Sequence, residues 1–298
     1  MDSDRPPKKY FQFFTLTLLA LMTVGCALPR YTVSLNDVVE RELGNGRTVI
    51  YGFRCTVGAH RGASLDYKEN TLAALKAADE NSKYGFIEFD VQYSKDNQIV
   101  VFHDKRLLRL FGNLKAIGKT SFEELSEITG GEVAAYADVM DALKKKINIE
   151  IKSQGDSDED RRLADEIIAD IRARKRCKDV LISSISDEVI KYINRKYPEI
   201  STGQVFWLTS STYLPFDFLT EKLYEKFNAT QADYLMLYVA NLRNIEDLLK
   251  FKPRGKTIVF WNFEDKMYLV HRDIKDRLWG DSGVKVVFQL MRYKLFSF

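Results

Sequence analysis

The chain has 298 residues, of which 45% are hydrophobic and 29% charged, enough for one large domain with a buried core and too long for a disulfide-stapled miniprotein. Lys and Arg total 45 against 42 Asp and Glu, a balance that excludes the strongly basic surface of a nucleic-acid-binding protein. Cys26, Cys55 and Cys177 are too far apart in sequence for a thiolate zinc site. We expect Cys55 and Cys177 to be two buried thiols or a pair in an oxidising compartment.

The N-terminus has the pattern of an export signal. Three basic residues precede an apolar run over 11–24, which is shorter than the roughly 20 apolar residues that cross a bilayer. Residues 23–26, Thr-Val-Gly-Cys, resemble the box at which a bacterial lipoprotein is cleaved and its cysteine acylated. We therefore expect an exported protein of the cell envelope, attached to the membrane surface by a lipid on Cys26. The alternatives are an ordinary signal peptide with a soluble secreted or periplasmic product, and a membrane span over 10–28.

From residue 56 onward, short runs of β-branched and aromatic residues alternate with longer amphipathic runs, a pattern typical of a parallel sheet. The predicted strands are 56–60, 86–93, 98–103, 147–152, 180–185, 204–208, 234–239, 257–261 and 284–288. The predicted helices are 71–81, 163–175, 187–196 and 266–278. The pattern predicts an α/β fold, a (β/α)8 TIM barrel, for which a typical size is about 250 residues.

Nine predicted strands are one more than such a barrel uses. The turn over 94–97 is too short for a parallel crossover, so the runs 86–93 and 98–103 are expected to form a hairpin, or one of them leaves the barrel. No low-complexity linker divides the chain. The predicted domains are a signal peptide over 1–26, a lead-in over 27–55 and one barrel over 56–298.

Polar residues lie at or just after the predicted ends of the early strands, the edge where parallel α/β folds place their active sites. They are His60-Arg61-Gly62, Glu69-Asn70, Glu88 with Asp90, His103-Asp104, and Glu150 with Lys152. Glu88 and Asp90 are two apart on one strand, so both side chains leave the face where a barrel normally carries apolar filling. Arg61 offers a bidentate fork for phosphate, and Gly62 permits close approach of the backbone to a ligand.

Glu88, Asp90 and Glu150 form a set of hard oxygen ligands, which suits Ca²⁺ or Mg²⁺ better than zinc. Buried carboxylates need a cation or strong donors. The alternative is therefore a structural ion network in which the three pair with Arg61 and Lys152. Two inward carboxylates on one strand are a costly way to build a salt bridge, which favours the metal.

Together these motifs resemble the glycerophosphodiester phosphodiesterase family, whose pattern is H-R-G, E-N-T, E-x-D, H-D and E-x-K. In this chain the pattern occurs as His60-Arg61-Gly62, Glu69-Asn70-Thr71, Glu88-Phe89-Asp90, His103-Asp104 and Glu150-Ile151-Lys152. The likeness continues less specifically through residues 182–184 and 261–262.

The resemblance implies a PLC-like phosphodiesterase barrel with one divalent cation, Ca²⁺ or Mg²⁺. The implied metal ligands are Glu88, Asp90 and Glu150. The implied acid/base pair is His60 and His103, either of which could be the base. Arg61 and Lys152 would bind the substrate phosphate, and Glu69 and Trp261 would line the substrate pocket.

The implied reaction is hydrolysis of a small glycerophosphodiester to an alcohol and glycerol phosphate. Cleavage of a phosphodiester needs a base, an acid and neutralised phosphoryl charge, which these residues would supply. The alternatives are a phospholipase D-type enzyme acting on lysophospholipid or sphingomyelin, and a non-catalytic binding lipoprotein of the envelope. No oligomeric state is predicted.

Three features depart from the family pattern or lie outside it. Lys68 replaces the proline common before E-N-T, which predicts a looser loop. Residues 280–288 lack the usual T-D-x-P ending, so closure of the barrel is left open. His271 has no chemical neighbours in the sequence and is expected to be a surface histidine of a helix.

Overall fold

The computed structural model describes residues 49–50, 53–207, 217–238, 241, 248, 251–263 and 266–270. The strands are β1 (Val49–Ile50), β2 (Phe53–His60), β3 (Phe86–Tyr93), β4 (Ile99–Val101), β5 (Ala134–Ala135), β6 (Lys146–Ile151), β7 (Val180–Ser184), β8 (Ser201–Phe206), β9 (Tyr234–Tyr238), β10 (Thr257–Phe263) and β11 (Lys266–Val270). The helices are α1 (Leu72–Glu80), α2 (Leu108–Phe111), α3 (Phe122–Thr129), α4 (Tyr136–Ala142), α5 (Ser157–Ala173), α6 (Asp187–Lys196) and α7 (Asp217–Thr230), with a 3-10 turn at Ile117–Lys119. Cys26, His271 and the predicted strand 284–288 lie outside the described residues.

Strand pairing confirms the predicted barrel. The pairings run from β2 through β3, β6, β7, β8, β9, β10 and β11 and return to β2. Neighbours in this ring are parallel except at β11, which is antiparallel to both β10 and β2. In a barrel of this kind the C-terminal ends of the parallel strands form the active face.

Strand β11 corrects one prediction, because the sequence pattern favours a helix over 266–278. Residues 266–270 instead form a strand paired with β2, with Val270 opposite Cys55 and Lys266 opposite Ala59. Met267 is buried inside the barrel in a cluster with Phe86 and Trp261. Short apolar runs fit both helix and strand periodicity, and here the unpaired edges of β2 and β10 select the strand.

The predicted hairpin is confirmed. Strand β4 pairs antiparallel with β3, with Val101 opposite Val91, and lies outside the ring. Phe102 donates its backbone N–H to the Asp90 carbonyl over 3.0 Å, which returns the residues after β4 to the level of Asp90. A separate apolar cluster beneath α2 and α3 supports this excursion, formed by Val100, Phe102, Leu107, Ile117, Leu125 and Val133.

Alternation along β3 explains how carboxylates enter the barrel. Ile87, Phe89 and Val91 are fully buried in the outer core between the sheet and the helices. Each such side chain contributes about 1.5–3 kcal/mol through burial. Because successive side chains leave opposite faces, the residues between them, including Glu88 and Asp90, point into the barrel.

Two further observations concern the described residues. Cys177 is half-buried and carries a free thiol, so it is not half of a disulfide. Within the residues that the structure describes, no helix has the length and apolarity needed to cross a membrane.

Candidate functional site

The three predicted metal ligands come together at the active face. Strand register places Glu88 opposite His60 of β2, and Asp90 opposite Glu150 of β6. One carboxylate oxygen from each of Glu88, Asp90 and Glu150 lies within 4.8 Å of the other two. Glu88 is 1% exposed and Asp90 is fully buried, so the cluster is largely removed from water.

The ion network that the sequence left open as an alternative is also present. Lys152 Nζ lies 2.5 Å from Glu150 Oε1 and 2.7 Å from Asp90 Oδ1, and Arg61 Nε lies 3.4 Å from Asp90 Oδ2. Burial alone would raise the pKa of Asp90, but Lys152 and Arg61 hold that pKa below its ordinary value. Burial opposes charge on Lys152 too, yet Asp90 and Glu150 raise its pKa. Both cations are therefore placed where a bound anionic group could meet them.

Glu88 is less well compensated than Asp90. Its Oε2 accepts the backbone N–H of Arg61 over 2.9 Å and lies 3.9 Å from His60 Nε2. Its Oε1 is buried and has no hydrogen-bond partner among the described residues. Burial, followed by repulsion from Asp90 and Glu150, raises the pKa of Glu88 well above its ordinary value. A buried carboxylate oxygen without a donor is what a cation would satisfy, so the donor set fits a hard divalent ion.

The E-N-T segment connects strand β3 to the start of helix α1. Asn70 is buried with φ +60°, a conformation that Asn tolerates better than most residues. Its Nδ2 donates to Asp90 Oδ2 over 2.8 Å, and its Oδ1 accepts the Asp90 N–H over 3.2 Å. Thr71 caps α1 by accepting the Ala74 N–H. Asn70 thus fixes the carboxylate of Asp90, a role that the sequence motif did not reveal.

Gly62 is required by packing against α1. It has φ +82°, and a Cβ there would lie 2.7 Å from the Ala74 carbonyl carbon and 2.9 Å from the Leu75 nitrogen. The preceding Arg61 is also left-handed, with φ +59°. This tight turn carries the chain from β2 to the Glu69 loop while aiming the Arg61 N–H at Glu88. The close approach predicted at Gly62 is therefore made to a helix of this chain.

His103 is oriented by a chain of charged groups. Its Nδ1 lies 2.6 Å from Asp104 Oδ1, and Arg109 Nε donates to Asp104 Oδ2 over 2.7 Å. Gln92, buried on β3, donates to the carbonyls of Phe102 and Asp104 over 2.8 and 2.9 Å. The His103 ring therefore has a defined position although about a third of its side chain is exposed.

Arg109 joins the two histidine-bearing segments. It donates to both carboxylate oxygens of Glu69, over 2.9 and 2.5 Å, in addition to its bond with Asp104. Glu69 Oε1 also accepts from Arg61 over 2.7 Å. A continuous path thus runs from the segment after His60 to the segment after His103. Glu69, predicted as a pocket residue, is engaged by two arginines of this chain.

Arg109, Asn70 and Gln92 were missed from the sequence as individual functional residues. Arg109 lies in the run Leu107-Leu108-Arg109-Leu110, which reads as an amphipathic helix with one solvated cation. The guanidinium of Arg109 pairs with the carboxylate of Glu69, 40 residues earlier in the chain, and no local sequence pattern indicates such a pair.

The loop before Glu69, which the sequence predicts to be looser, is anchored. Lys68 forms an ion pair with Glu132, and its Nζ lies 4.3 Å from the centre of the Phe111 ring.

The charges of the site do not balance. The acidic groups outnumber the basic ones by five to three, which leaves two excess negative charges when all five carboxylates are ionised and the histidines are neutral. The acids are Glu69, Glu88, Asp90, Asp104 and Glu150, and the bases are Arg61, Arg109 and Lys152. One divalent cation would neutralise that excess.

Aromatic side chains form the opposite wall. Trp261 on β10, the other predicted pocket residue, has its ring centre 6.4 Å from that of His60. Tyr238, at the end of β9, and Trp207, just after β8, lie 5.4 and 5.1 Å from Trp261. The mouth of the barrel therefore has a charged side on β2, β3 and β6 and an aromatic side on β8, β9 and β10.

Comparison with known proteins gives the family. The model of the glycerophosphoryl diester phosphodiesterase family matches residues 60–288. This chain belongs to that family. As the motifs predicted, it is an enzyme of the phosphodiesterase class.

Individual proteins similar to this phosphodiesterase family member are consistent with the family assignment. A glycerophosphodiester phosphodiesterase of Bacillus subtilis is 23% identical over 293 residues, 86% of this chain and 98% of its own length. A lysophospholipase D of Homo sapiens is 25% identical over 256 residues, 70% of this chain and 76% of its own. The crystal structure of a Thermotoga maritima glycerophosphodiester phosphodiesterase has a TM-score of 0.55 at 25% identity, covering 80% of this chain and 91% of that one.

Arg109→Ala is expected to lower kcat for phosphodiester hydrolysis by about 10- to 100-fold with little change in KM. Arg109 donates to Asp104, which contacts His103, so loss of its bonds would displace the His103 ring. Steady-state kinetics measures both constants. Arg106→Ala is the matched control, since Arg106 is close in sequence and its Nη1 donates to the Leu114 carbonyl over 2.7 Å, away from Asp104 and Glu69. Equal effects of the two substitutions would contradict the positioning role.

Proposed function

We propose that this chain hydrolyses small glycerophosphodiesters to an alcohol and glycerol phosphate in a metal-dependent reaction. The observation that carries the proposal is the cluster of Glu88, Asp90 and Glu150, in which Glu88 and Asp90 are buried, Glu88 Oε1 lacks a hydrogen-bond partner among the described residues, and His60 Nε2 lies 3.9 Å from Glu88 Oε2. The relatives named for this activity support it.

His60 and His103 are the proposed acid/base pair. His103 engages Asp104 through Nδ1, which leaves Nε2 as the ring nitrogen to exchange a proton with substrate. His60 is buried beside Glu88, with its other flank toward Trp261. One histidine takes the proton of the attacking hydroxyl, and the other protonates the leaving alkoxide. Attack by water gives glycerol phosphate directly. Attack by the neighbouring glycerol hydroxyl gives a cyclic phosphodiester, which water then opens with the two histidines exchanging roles.

Glu88, Asp90 and Glu150 are the proposed holders of one Ca²⁺ or Mg²⁺. When bound, such an ion would neutralise phosphoryl charge and lower the pKa of the attacking hydroxyl. Arg61 and Lys152 lie beside these carboxylates and are the proposed phosphate-binding cations. Glu69 holds Arg61 in place, and Trp261 closes the far side of the pocket.

A second candidate is a lysophospholipase D-type activity on the same bond class. It is favoured by the human relative that carries that name. It is also favoured by Trp207, which is 56% exposed at the barrel mouth, where a larger substrate would pass. A non-catalytic binding lipoprotein is disfavoured because the proposed acid/base, metal and phosphate groups are all present together.

We further propose that the protein is exported and attached to the cell envelope by a lipid on Cys26. The support is the basic start, the short apolar run and the Thr-Val-Gly-Cys box of the sequence. An envelope location would place the enzyme beside lipids and their deacylated products.

The full-length protein is expected to release glycerol phosphate from glycerophosphocholine, and choline from lysophosphatidylcholine if the second activity is present. His60→Ala and His103→Ala should each lose about 10²- to 10⁴-fold in kcat, the range for general acid/base groups. Product formation by coupled assay measures this. A folded, metal-supplied protein that cleaves neither substrate would favour the binding-module alternative.

Chelation by EDTA is expected to abolish hydrolysis, and Ca²⁺ or Mg²⁺ should restore it. Isothermal titration calorimetry should show one ion bound by the wild type and weaker binding by Glu88→Gln, which loses an anionic ligand. Glu127→Gln, an exposed glutamate on α3, is the matched control. Activity that survives EDTA, together with no ion binding by calorimetry, would contradict the metal site. The three carboxylates would then belong only to the structural ion network.

Growth with a palmitate analogue is expected to label the wild-type protein and not Cys26→Ala. Acylation would occur at that thiol alone, so Cys177→Ala should still be labelled. Gel fluorescence of the purified proteins measures incorporation. An unlabelled wild type would contradict the lipid anchor. An ordinary signal peptide or a membrane span would then be the remaining interpretations of the N-terminus.

A further inference from the structure

The N-terminal end of the barrel, opposite the active face, contains a cavity. Its volume is about 440 Å³, within the range of roughly 300–1,000 Å³ that is usual for small-molecule sites. The first residues of six strands line it: Phe86, Lys146, Val180, Ser201, Tyr234 and Thr257. None of the proposed metal ligands or histidines is among the described residues that line it. The cavity therefore lies at the other end of the barrel from the substrate site.

A buried amide lines this cavity. Asn148 on β6 is 1% exposed, and neither its Nδ2 nor its Oδ1 has a hydrogen-bond partner among the described residues. Alternation along β6 directs Asn148 to the inside of the barrel together with Lys146 and Glu150. Buried polar side chains of native proteins normally have partners, so this amide indicates a partner beyond the described residues. An amide both donates and accepts, and a hydroxyl group is the simplest partner that does the same.

The rim of the cavity carries positive charge. Lys146, the first residue of β6, and Lys178, just before β7, are both exposed and both line it. Among the described residues that line the cavity, Asp179 is the one acidic side chain, so the rim has one excess positive charge. Because lysine ammonium groups can only donate, they favour an anionic acceptor such as a phosphate.

The space between the lysines and Asn148 suits a short molecule. Asn148 lies two residues after Lys146 on the same strand, a rise of about 7 Å. Met236 and Val259, both buried, add apolar wall that the carbon atoms of a ligand would contact. A long apolar chain suits the cavity poorly, because it would leave the Asn148 amide without a polar partner. A short hydroxylated chain with an anionic end satisfies the amide, the walls and the lysines together.

We propose that this cavity is a second binding site, which takes a small organic phosphate that carries free hydroxyl groups. The phosphate binds Lys146 and Lys178, and the hydroxyl groups bond to the Asn148 amide. Glycerol phosphate has this chemistry and serves as the probe. The site goes beyond the proposed hydrolysis and does not depend on it, because the residues that bind the ligand here differ from those proposed to bind the substrate.

Lysine acetylation, measured by mass spectrometry on the full-length protein, tests the site because it reports each end of the barrel separately. At about ten times its dissociation constant, sn-glycerol 3-phosphate should slow acetylation of Lys146 and Lys178 about tenfold, since only unoccupied protein reacts. Lys144 and Lys175 are exposed, lie within three residues of these two and do not line the cavity, so their acetylation should not change. Inorganic phosphate should protect the same two lysines at higher concentration, and glycerol should not protect them.

Two variants distinguish the charged part of the site from the polar part. With protection of Lys178 as the readout, Lys146→Gln should weaken the binding of both phosphates about 10- to 100-fold, the range for losing a hydrogen bond to a charged group. Lys144→Gln is the matched control and should change neither affinity. Asn148→Leu should leave the affinity for inorganic phosphate unchanged and remove the advantage of sn-glycerol 3-phosphate, because only the ester carries hydroxyl groups.

The outcomes separate this inference from the proposed activity. Protection of Lys146 and Lys178 in a protein that cleaves no ester would uphold the second site and refute the hydrolysis. Protection of Lys152 alone, in a protein that hydrolyses its substrate, would confine the ligand to the active face and overturn the second site. Slow acetylation of Lys146 and Lys178 in the free protein would show that another part of the chain covers this end, and would also overturn it. Equal affinities for the two phosphates in the wild type would overturn the role of Asn148.

Discussion

Burial of the Glu88 and Asp90 carboxylates on the inner face of β3 is the constraint around which the site is organised. Moving an ionised carboxylate out of water costs several kcal/mol unless opposite charges and donors replace the solvent. Asp90 obtains them from Lys152, Arg61 and Asn70. Among the described residues, Glu88 accepts the Arg61 backbone N–H on Oε2, and His60 Nε2 lies 3.9 Å from that same oxygen. The uneven compensation leaves Glu88 Oε1 without a hydrogen-bond partner among the described residues, and a cation would satisfy it.

The polar groups around the carboxylates form a connected network that joins several segments of the chain. Glu69 and Arg109 connect the turn after β2 with the segment after β4, and Gln92 ties that segment to β3. A buried polar network of this kind is stable only when its members are satisfied together. It therefore positions the two histidines relative to each other as well as relative to the carboxylates.

The sequence predicted much of the fold because period and spacing are local properties. Strand β3 and helix α6 begin and end where the pattern places them, and the β3–β4 hairpin follows from a turn too short for a crossover. Strand β11 was predicted as a helix, since a run of four apolar residues does not distinguish a strand from a helix. Its pairing with β2 depends on an edge more than 200 residues earlier in the chain.

By itself, the sequence determined which chemistry is present: the motif residues, their order along the strands and the inward face of Glu88 and Asp90 all follow from alternation and spacing. Tertiary structure alone decided which groups compensate one another. Arg109 reaches Glu69 across 40 positions, and Trp207, Tyr238 and Trp261 meet only because β8, β9 and β10 are neighbours in the ring. Such contacts depend on distance in space between side chains far apart in sequence, and no local pattern encodes that distance.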